Sequence, residues 1–489
     1  MTDIQSQVAG LIIPRLDFDD PKLAYECGEQ FIRKHRIRSF VVFGGAAREV
    51  ADTISRLEEL SDLPLLMCAD MERGAGQQWS GATSFPYFKG LGELARRSKS
   101  LNSILRSAEI TAMEAKACGV HVLFSPVVDV DYNPDNPIIS IRSFGQQVDH
   151  VIACARAYIT GLESRGMLPT LKHFPGHGDT IVDSHEDLPE LEGDIGRLNS
   201  VELKPFRTLC KAFPSVGLMT GHLASQVLDP SGLPASLSEA MTSGLLRTDW
   251  GYDGPIFTDA LIMGAVADQQ GNAVLQAFRA GADFLLMPSD VEDAIKVISR
   301  AIEKEEILQV RLESSLRRAS TLRETVGVRK GMIDMQTIEE RVGRADYFEA
   351  AREIAKEVVC IKRGIVPSPQ GKTLVLVLEA EKRSLESLHL GECPFRTTSI
   401  DKQPDHLPEH DLLVVVTDVR PAAWKQIHQF PAMWREFLNS SFKRRNHLLI
   451  SLGSDRLERQ LPDLKNFLCT YGRSEFAINE VERIVQRLS

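Results

Sequence analysis

The stretch LKHFPGHGDTIVDSH, Leu171 to His185, is the densest run of reactive side chains in the sequence. Three histidines and two aspartates are set among glycine and proline, a composition that suits a polar loop leaving a strand. Three chemistries fit it. It could be a solvated turn-rich loop. His173, His177 and His185 with an aspartate could ligate zinc or iron. Or Asp183 could set its carboxylate against one nitrogen of His185, one serine away, leaving the other to exchange a proton near neutral pH.

Other polar residues close apolar runs. Asp70 and Glu72 follow PLLMCA, Asp129 and Asp131 with Arg142 follow VHVLFSPVV, Thr220 and His222 end VGLMTGH, and Asp259 ends PIFTD. Asp259 stands before a helical segment and could be its N-cap. Beside a His/Asp pair at a strand end, it is equally suited to be a nucleophile or base. Asp70 could cap a helix or accept hydrogen bonds from sugar hydroxyls. Arg142 could do no more than pair with a carboxylate, and Lys172 and His173 could simply close a strand.

The elements that would position these groups follow from periodicity. Eight apolar, β-branched runs begin near Gly10, Ser39, Pro64, Val120, Leu168, Val216, Pro255 and Ala282, with helical segments between them. Repeated βα units in that number predict an α/β fold: a (β/α)₈ TIM-type barrel over 1–328, whose reactive groups gather on the loops after the strands. Ile295, Ile298 and Ile302 mark one face of a helix after the eighth run. The charged stretch from Glu303 to about Arg344 reads as further helix, ending in a helical linker over 329–345. Runs from Lys372, Asp411 and Asn446 then predict a smaller α/β sandwich domain over 346–489. Gly176 and Gly178 would give the histidine loop unusual backbone angles and ease of movement, so that His185 could swing in when substrate binds.

Composition narrows the function. Of 489 residues 43% are hydrophobic and 25% charged, and the formal charge is −10, typical of a globular chain and unsuited to nucleic acid or an anionic membrane as main partner. No run of 18 apolar residues suggests a membrane span, and the first residues lack the basic start of a secretory leader. Eight cysteines without a CxxC pair read as reduced thiols of a cytoplasmic protein.

Taken together, KHFPGHGDTIVDSH, DMERG from Asp70, IRSFG from Ile141, PASLS from Pro234 and LLRTDWGYDGPIFTDALIMGA from Leu245 closely resemble family 3 glycoside hydrolases, in their β-N-acetylglucosaminidase branch. The resemblance runs in order from about residue 60 to 290. It implies that Asp259 is the nucleophile and His185 the general acid/base, with Asp183 as its partner. It implies that Asp70, Arg142, Lys172 and His173 hold the terminal sugar, and that neither metal nor cofactor is used. The β-glucosidases of the family lack the Asp-x-His loop and take their acid/base carboxylate from the second domain. The family's usual DQEGG reads DMERG here, so that Met71 and Arg73 bear on the sugar subsite, and its TDDL or SDDL reads TDAL. The implied activity is retaining, exo-acting removal of terminal GlcNAc from a small carbohydrate, with peptidoglycan recycling as the setting. Because a neutral histidine does not repel an anionic acceptor, phosphorolysis of the same glycosides is an alternative. A non-catalytic sugar-binding protein and a metal hydrolase are others. The second domain, in which no catalytic residue is assigned, could close over the barrel mouth or mediate a homodimer.

Overall fold

The computed structural model describes residues 2–181, 188–267, 273–368, 371–380, 385, 388, 395–404, 406–419 and 429–488. The Asp183–His185 pair lies outside the described residues.

All eight runs form strands. The first is broken at Pro14 into β1 (Ile12–Ile13) and β2 (Arg15–Asp17); β3 (Ser39–Phe43), β4 (Leu66–Ala69), β5 (Val122–Leu123), β6 (Leu168–Phe174), β7 (Gly217–Thr220), β8 (Ile256–Thr258) and β9 (Leu285–Leu286) follow. From β2 to β8 they pair in sequence order, every pair parallel. A bridge between Phe257 and Phe284 joins β8 to the approach of β9, and β9 pairs with β1, which closes the barrel. Apart from Arg15, Asp17 and Phe43, the strand residues are buried on both faces, as expected when helices cover the outside and side chains fill the inside.

The helices show their signals in sequence. Asp20 caps Pro21–His35, where a proline in the first turn loses no hydrogen bond, and Asp290 caps Val291–Glu303, whose Ile295, Ile298 and Ile302 are all buried. At the amino ends of the strands, Asp283 is fully buried. It accepts hydrogen bonds from Arg247 (2.6 Å), Ser315 (2.6 Å), Arg318 (3.2 Å) and the Ile256 amide (3.0 Å). The helix Gln309–Thr325 is thereby tied to the barrel floor. Between that helix and the next domain the expected run of helix shrinks to the single turn Ile338–Arg341. The intervening Gly327, Gly331 and Gly343 take positive φ, which halts helix propagation.

The second domain is a six-stranded sheet. The three anticipated runs become β11 (Thr373–Glu379), β13 (Leu412–Thr417) and β14 (Asn446–Ser451), joined by β10 (Cys360–Arg363), β12 (Phe395–Ser399) and β15 (Phe467–Cys469) in the order β10-β15-β14-β13-β11-β12. Only β10 is antiparallel. Alternation along β13 sends Leu412, Val414 and Val416 to one face, with Val481 and Val485 of the helix Glu475–Gln486. Leu413 and Val415 point to the other, with Trp434 and Leu438 of the helix Ala432–Arg444. The second face belongs to the same hydrophobic cluster as the barrel. Gly90, on the barrel helix Phe88–Ser98, packs so closely on Val358 and Tyr471 that a Cβ there would lie 2.8 and 2.9 Å from them.

Candidate active site

The carboxyl ends of β4, β5, β6 and β8 carry the expected groups on one rim. Asp70 and Glu72 leave β4, Asp129 lies on the stretch beyond β5, Lys172 and His173 stand near the carboxyl end of β6, and Asp259 follows β8. Backbone hydrogen bonds link the ends of β6, β7 and β8: Gly221 donates to Phe174 O (2.8 Å), and Asp259 donates to Thr220 O (2.9 Å).

Four of the anticipated residues meet. Lys172 Nζ donates to Asp70 Oδ1 (2.6 Å) and lies 2.9 Å from Glu72 Oε1. Arg142 grips Glu72 with two hydrogen bonds, Nε to Oε2 at 2.9 Å and Nη2 to Oε1 at 2.6 Å, and its Nη2 is 3.4 Å from His173 Nε2. His173 Nδ1 donates to Asp129 Oδ2 (2.8 Å), and its Nε2 faces Arg142. Asp70 and Glu72 thus balance Lys172 and Arg142 in charge. The Lys172 side chain is 3% exposed and that of Asp70 30%, so Asp70 is the acceptor that opens toward the barrel mouth.

Electrostatics fixes the protonation states. Burial alone would raise the Glu72 carboxyl, but Arg142 and Lys172 outweigh it and hold it far below the usual carboxylate range. Burial likewise opposes the charge on Lys172, and Asp70 and Glu72 reverse that, keeping it protonated. Asp129 is held low against its burial by His173 and by the His177 amide. Burial, then the neighbouring His173, push His177 down to about 4, so it is neutral at pH 7.

Several of these groups are structural supports that residue type alone did not single out. Glu72 is the hub of the ion cluster. Asp129 accepts from the amides of His173 (3.1 Å) and His177 (2.7 Å) as well as from the imidazole. His222 is fully buried; Ser236, of the PASLS motif, is 2.7 Å from its Nδ1, and its Nε2 lies 3.0 Å from Ala260 O, so the imidazole fixes the peptide that follows Asp259. Asp259 Oδ1 accepts from the Ala260 amide (2.8 Å), and the short helix Gly264–Ala267 begins well beyond it. Met71 is buried in the core and its carbonyl accepts from Tyr158 (3.3 Å). Arg73 stacks on Tyr87 at 4.4 Å. Arg247, in the LLRTDWGYDG motif, serves the barrel floor through Asp283.

The described part of the histidine loop, to Ile181, is held by its neighbours, and Gly176 takes the positive φ expected of it. A Cβ on Gly178 would fall 1.6 Å from Val130 O, so this glycine permits close backbone approach. His177 Nδ1 donates to Thr180 Oγ1 (2.6 Å), and Asp179 pairs with Arg197. The Nδ1 atoms of His173 and His177 are thus committed, and among the described residues no group of three His, Cys, Asp or Glu is arranged to hold a metal. The described cysteines are free, and Cys393 lies outside the described residues. No described helix is long and apolar enough to cross a membrane.

Comparison with known proteins follows this geometry. Residues 30–322 match the model of the glycosyl hydrolase family 3 N terminal domain. The chain is 32% identical over 325 residues to Beta-hexosaminidase A of Pseudoalteromonas piscicida, covering 60% of this chain and 54% of that one, about half the relative's length. It is 36% identical over 277 residues to Beta-hexosaminidase LpqI of Mycobacterium tuberculosis, covering 53% of this chain and 68% of the other. A family 3 β-N-acetylglucosaminidase structure from Paenibacillus sp. str. FPU-7 superposes with a TM-score of 0.82 at 22% identity, over 100% of this chain and 97% of that one.

Proposed function

The chain belongs to the family 3 glycosyl hydrolases, and from that premise we propose that it is a retaining, exo-acting β-N-acetylhexosaminidase that removes terminal β-linked N-acetylglucosamine. Peptidoglycan fragments are the natural carriers of such ends. The observation that carries the reading is the charge-balanced cluster of Asp70, Glu72, Arg142 and Lys172 on the same rim as Asp259. The names of the two relatives, both β-hexosaminidases, support the choice of sugar.

In this reading Asp70, with Lys172, Arg142 and His173, holds the hydroxyls of the terminal sugar and sets its anomeric carbon against Asp259. The Asp259 carboxylate attacks that carbon and the bond to the departing oxygen breaks, while His185 as imidazolium delivers a proton to that oxygen. The product of this step is a sugar ester of Asp259. Water then gives its proton to the neutral His185 and attacks the same carbon, releasing the sugar with its configuration retained and Asp259 as carboxylate. Asp183 orients the imidazole and favours its charged form.

The test uses aryl and alkyl β-N-acetylglucosaminides with and without phosphate. Asp259→Ala abolishes turnover of all of them. His185→Ala costs about 10²–10⁴-fold on an alkyl glycoside and far less on a dinitrophenyl glycoside, whose leaving group needs no proton. Equal losses on both would overturn the role of His185. Accumulation of the sugar 1-phosphate in place of free sugar would make the enzyme a phosphorylase. Sugar binding without turnover of any glycoside would reduce it to a binding protein.

A further inference from the structure

We propose that Arg456, in the second domain, is a positioning residue for the loop that leads to the acid/base, so that the second domain acts as a brace on the barrel's reactive loop. The inference rests on the reading of His185 as acid/base.

Arg456 stands at the start of a 3₁₀ turn, Asp455–Gln460, whose N-cap Ser454 accepts from its amide. Its side chain is 12% exposed and ends on three acceptors of one barrel segment. Nη1 donates to Asn136 O (3.0 Å), Nη2 donates to Asn133 O (2.9 Å), and Nη2 also pairs with the Asp131 carboxylate. That segment in turn holds the histidine loop by its peptide groups. The Asn133 amide donates to Gly178 O (3.1 Å) and its side chain to Asp179 O (3.3 Å). Asn136 Nδ2 donates to His177 O (2.8 Å) and Thr180 O (2.9 Å). Val130 O, on the same stretch, is the atom against which Gly178 packs. One guanidinium therefore fixes the carbonyls of a segment whose own donors fix residues 177–180, and His185 lies further along that loop.

The alternative, that Arg456 merely neutralises Asp131, is weakened by Lys89. Its ammonium already reaches Asp131 Oδ2 at 2.7 Å from the barrel's own helix Phe88–Ser98. Asp131 keeps a countercharge without Arg456. What it cannot replace is a planar fork spanning one carboxylate and two carbonyls. Loss of Arg456 should therefore displace the loop rather than leave a bare buried charge.

The experiment compares kcat and KM of the full-length Arg456→Met variant on a 2,4-dinitrophenyl and an alkyl β-N-acetylglucosaminide. Displacing a proton donor by a fraction of an ångström to an ångström should lower kcat on the alkyl glycoside by on the order of 10-fold or more. The dinitrophenyl glycoside should stay within about 3-fold, because its departure needs no proton, and KM should change little on either. Lys89→Met, which removes the other partner of Asp131 without touching the loop carbonyls, should leave the ratio of the two rates at the wild-type value. Arg456→Lys restores the charge but not the fork and should not rescue the ratio; it also carries the test if the methionine variant does not fold. An unchanged ratio, an equal loss on both substrates, or the same shift in Lys89→Met would overturn the proposal. His185→Ala run in parallel separates the two levels. If it too leaves the ratio unchanged, the acid/base reading has failed; if it shifts the ratio and Arg456→Met does not, only the brace has failed.

Discussion

Glu72→Gln isolates charge from shape at the centre of the site. The substitution keeps size and one acceptor oxygen but removes the carboxylate that receives two hydrogen bonds from Arg142 and faces Lys172 at 2.9 Å. Asp70 still compensates Lys172, so the main loss is the partner of Arg142. Leaving a buried charge unpartnered costs about 3–5 kcal/mol, and the lower end applies here because the amide oxygen still accepts. The pH dependence is the sharper readout. The folded carboxyl is held far below its ordinary value, whereas in the unfolded chain it titrates at about 4.3. Its contribution is complete above that pH and shrinks as pH falls, since the unfolded chain then binds a proton that the folded one refuses. The stability gap between wild type and Glu72→Gln should therefore be constant from about pH 7 to 5 and narrow by about 1.4 kcal/mol per pH unit below about 4. Urea unfolding at several pH values, followed by tryptophan fluorescence, measures that gap. A gap that stays constant down to pH 3 would refute the ion cluster as described. The same variant should lose about 10²-fold in kcat/KM, because Arg142 and Lys172 are no longer fixed.

Three further expectations bear on separate parts of the molecule. Gly178→Ala puts a methyl group 1.6 Å from Val130 O; the backbone must shift, costing about 2 kcal/mol and lowering kcat, and circular dichroism melts with initial rates check both. His222→Phe frees the Ala260 carbonyl beside the proposed nucleophile, so kcat should fall by about 10-fold on dinitrophenyl and alkyl glycosides alike, unlike the selective loss expected on disturbing the acid. Asp283→Asn should cost about 3–5 kcal/mol by leaving Arg247 and Arg318 without their buried carboxylate, while the kcat of the folded fraction, measured well below the melting temperature, stays at the wild-type value.

Much of this could be read from the chain because barrel strands are apolar on both faces and stand out against their helices. All eight runs became strands, and Asp70, Glu72, Asp129, Lys172 and His173, from the ends of three of them, meet with Arg142 on the rim. The strands that escaped notice, β10, β12 and β15, are short or carry charge, as in Cys360–Arg363 with Lys362 and Arg363. Their strand character comes from the neighbours they pair with. Glu72 and Asp129 were visible as polar strand ends, but nothing local distinguishes a hub of buried ion pairs from a solvated carboxylate. That difference is made by Arg142 and Lys172 arriving from 70 or more positions beyond Glu72, and by His173 from 44 positions beyond Asp129. Arg456 gave no sign at all, since its partners lie 320 to 325 positions earlier.

The inner face of the second sheet, with Leu413 and Val415, shares one apolar cluster with the barrel. Severed from each other, both lobes would expose an oily surface, and neither would be comfortable in water. Heated in a calorimeter, the molecule should accordingly absorb heat in one peak and not in two, the smaller lobe melting only when the larger one does.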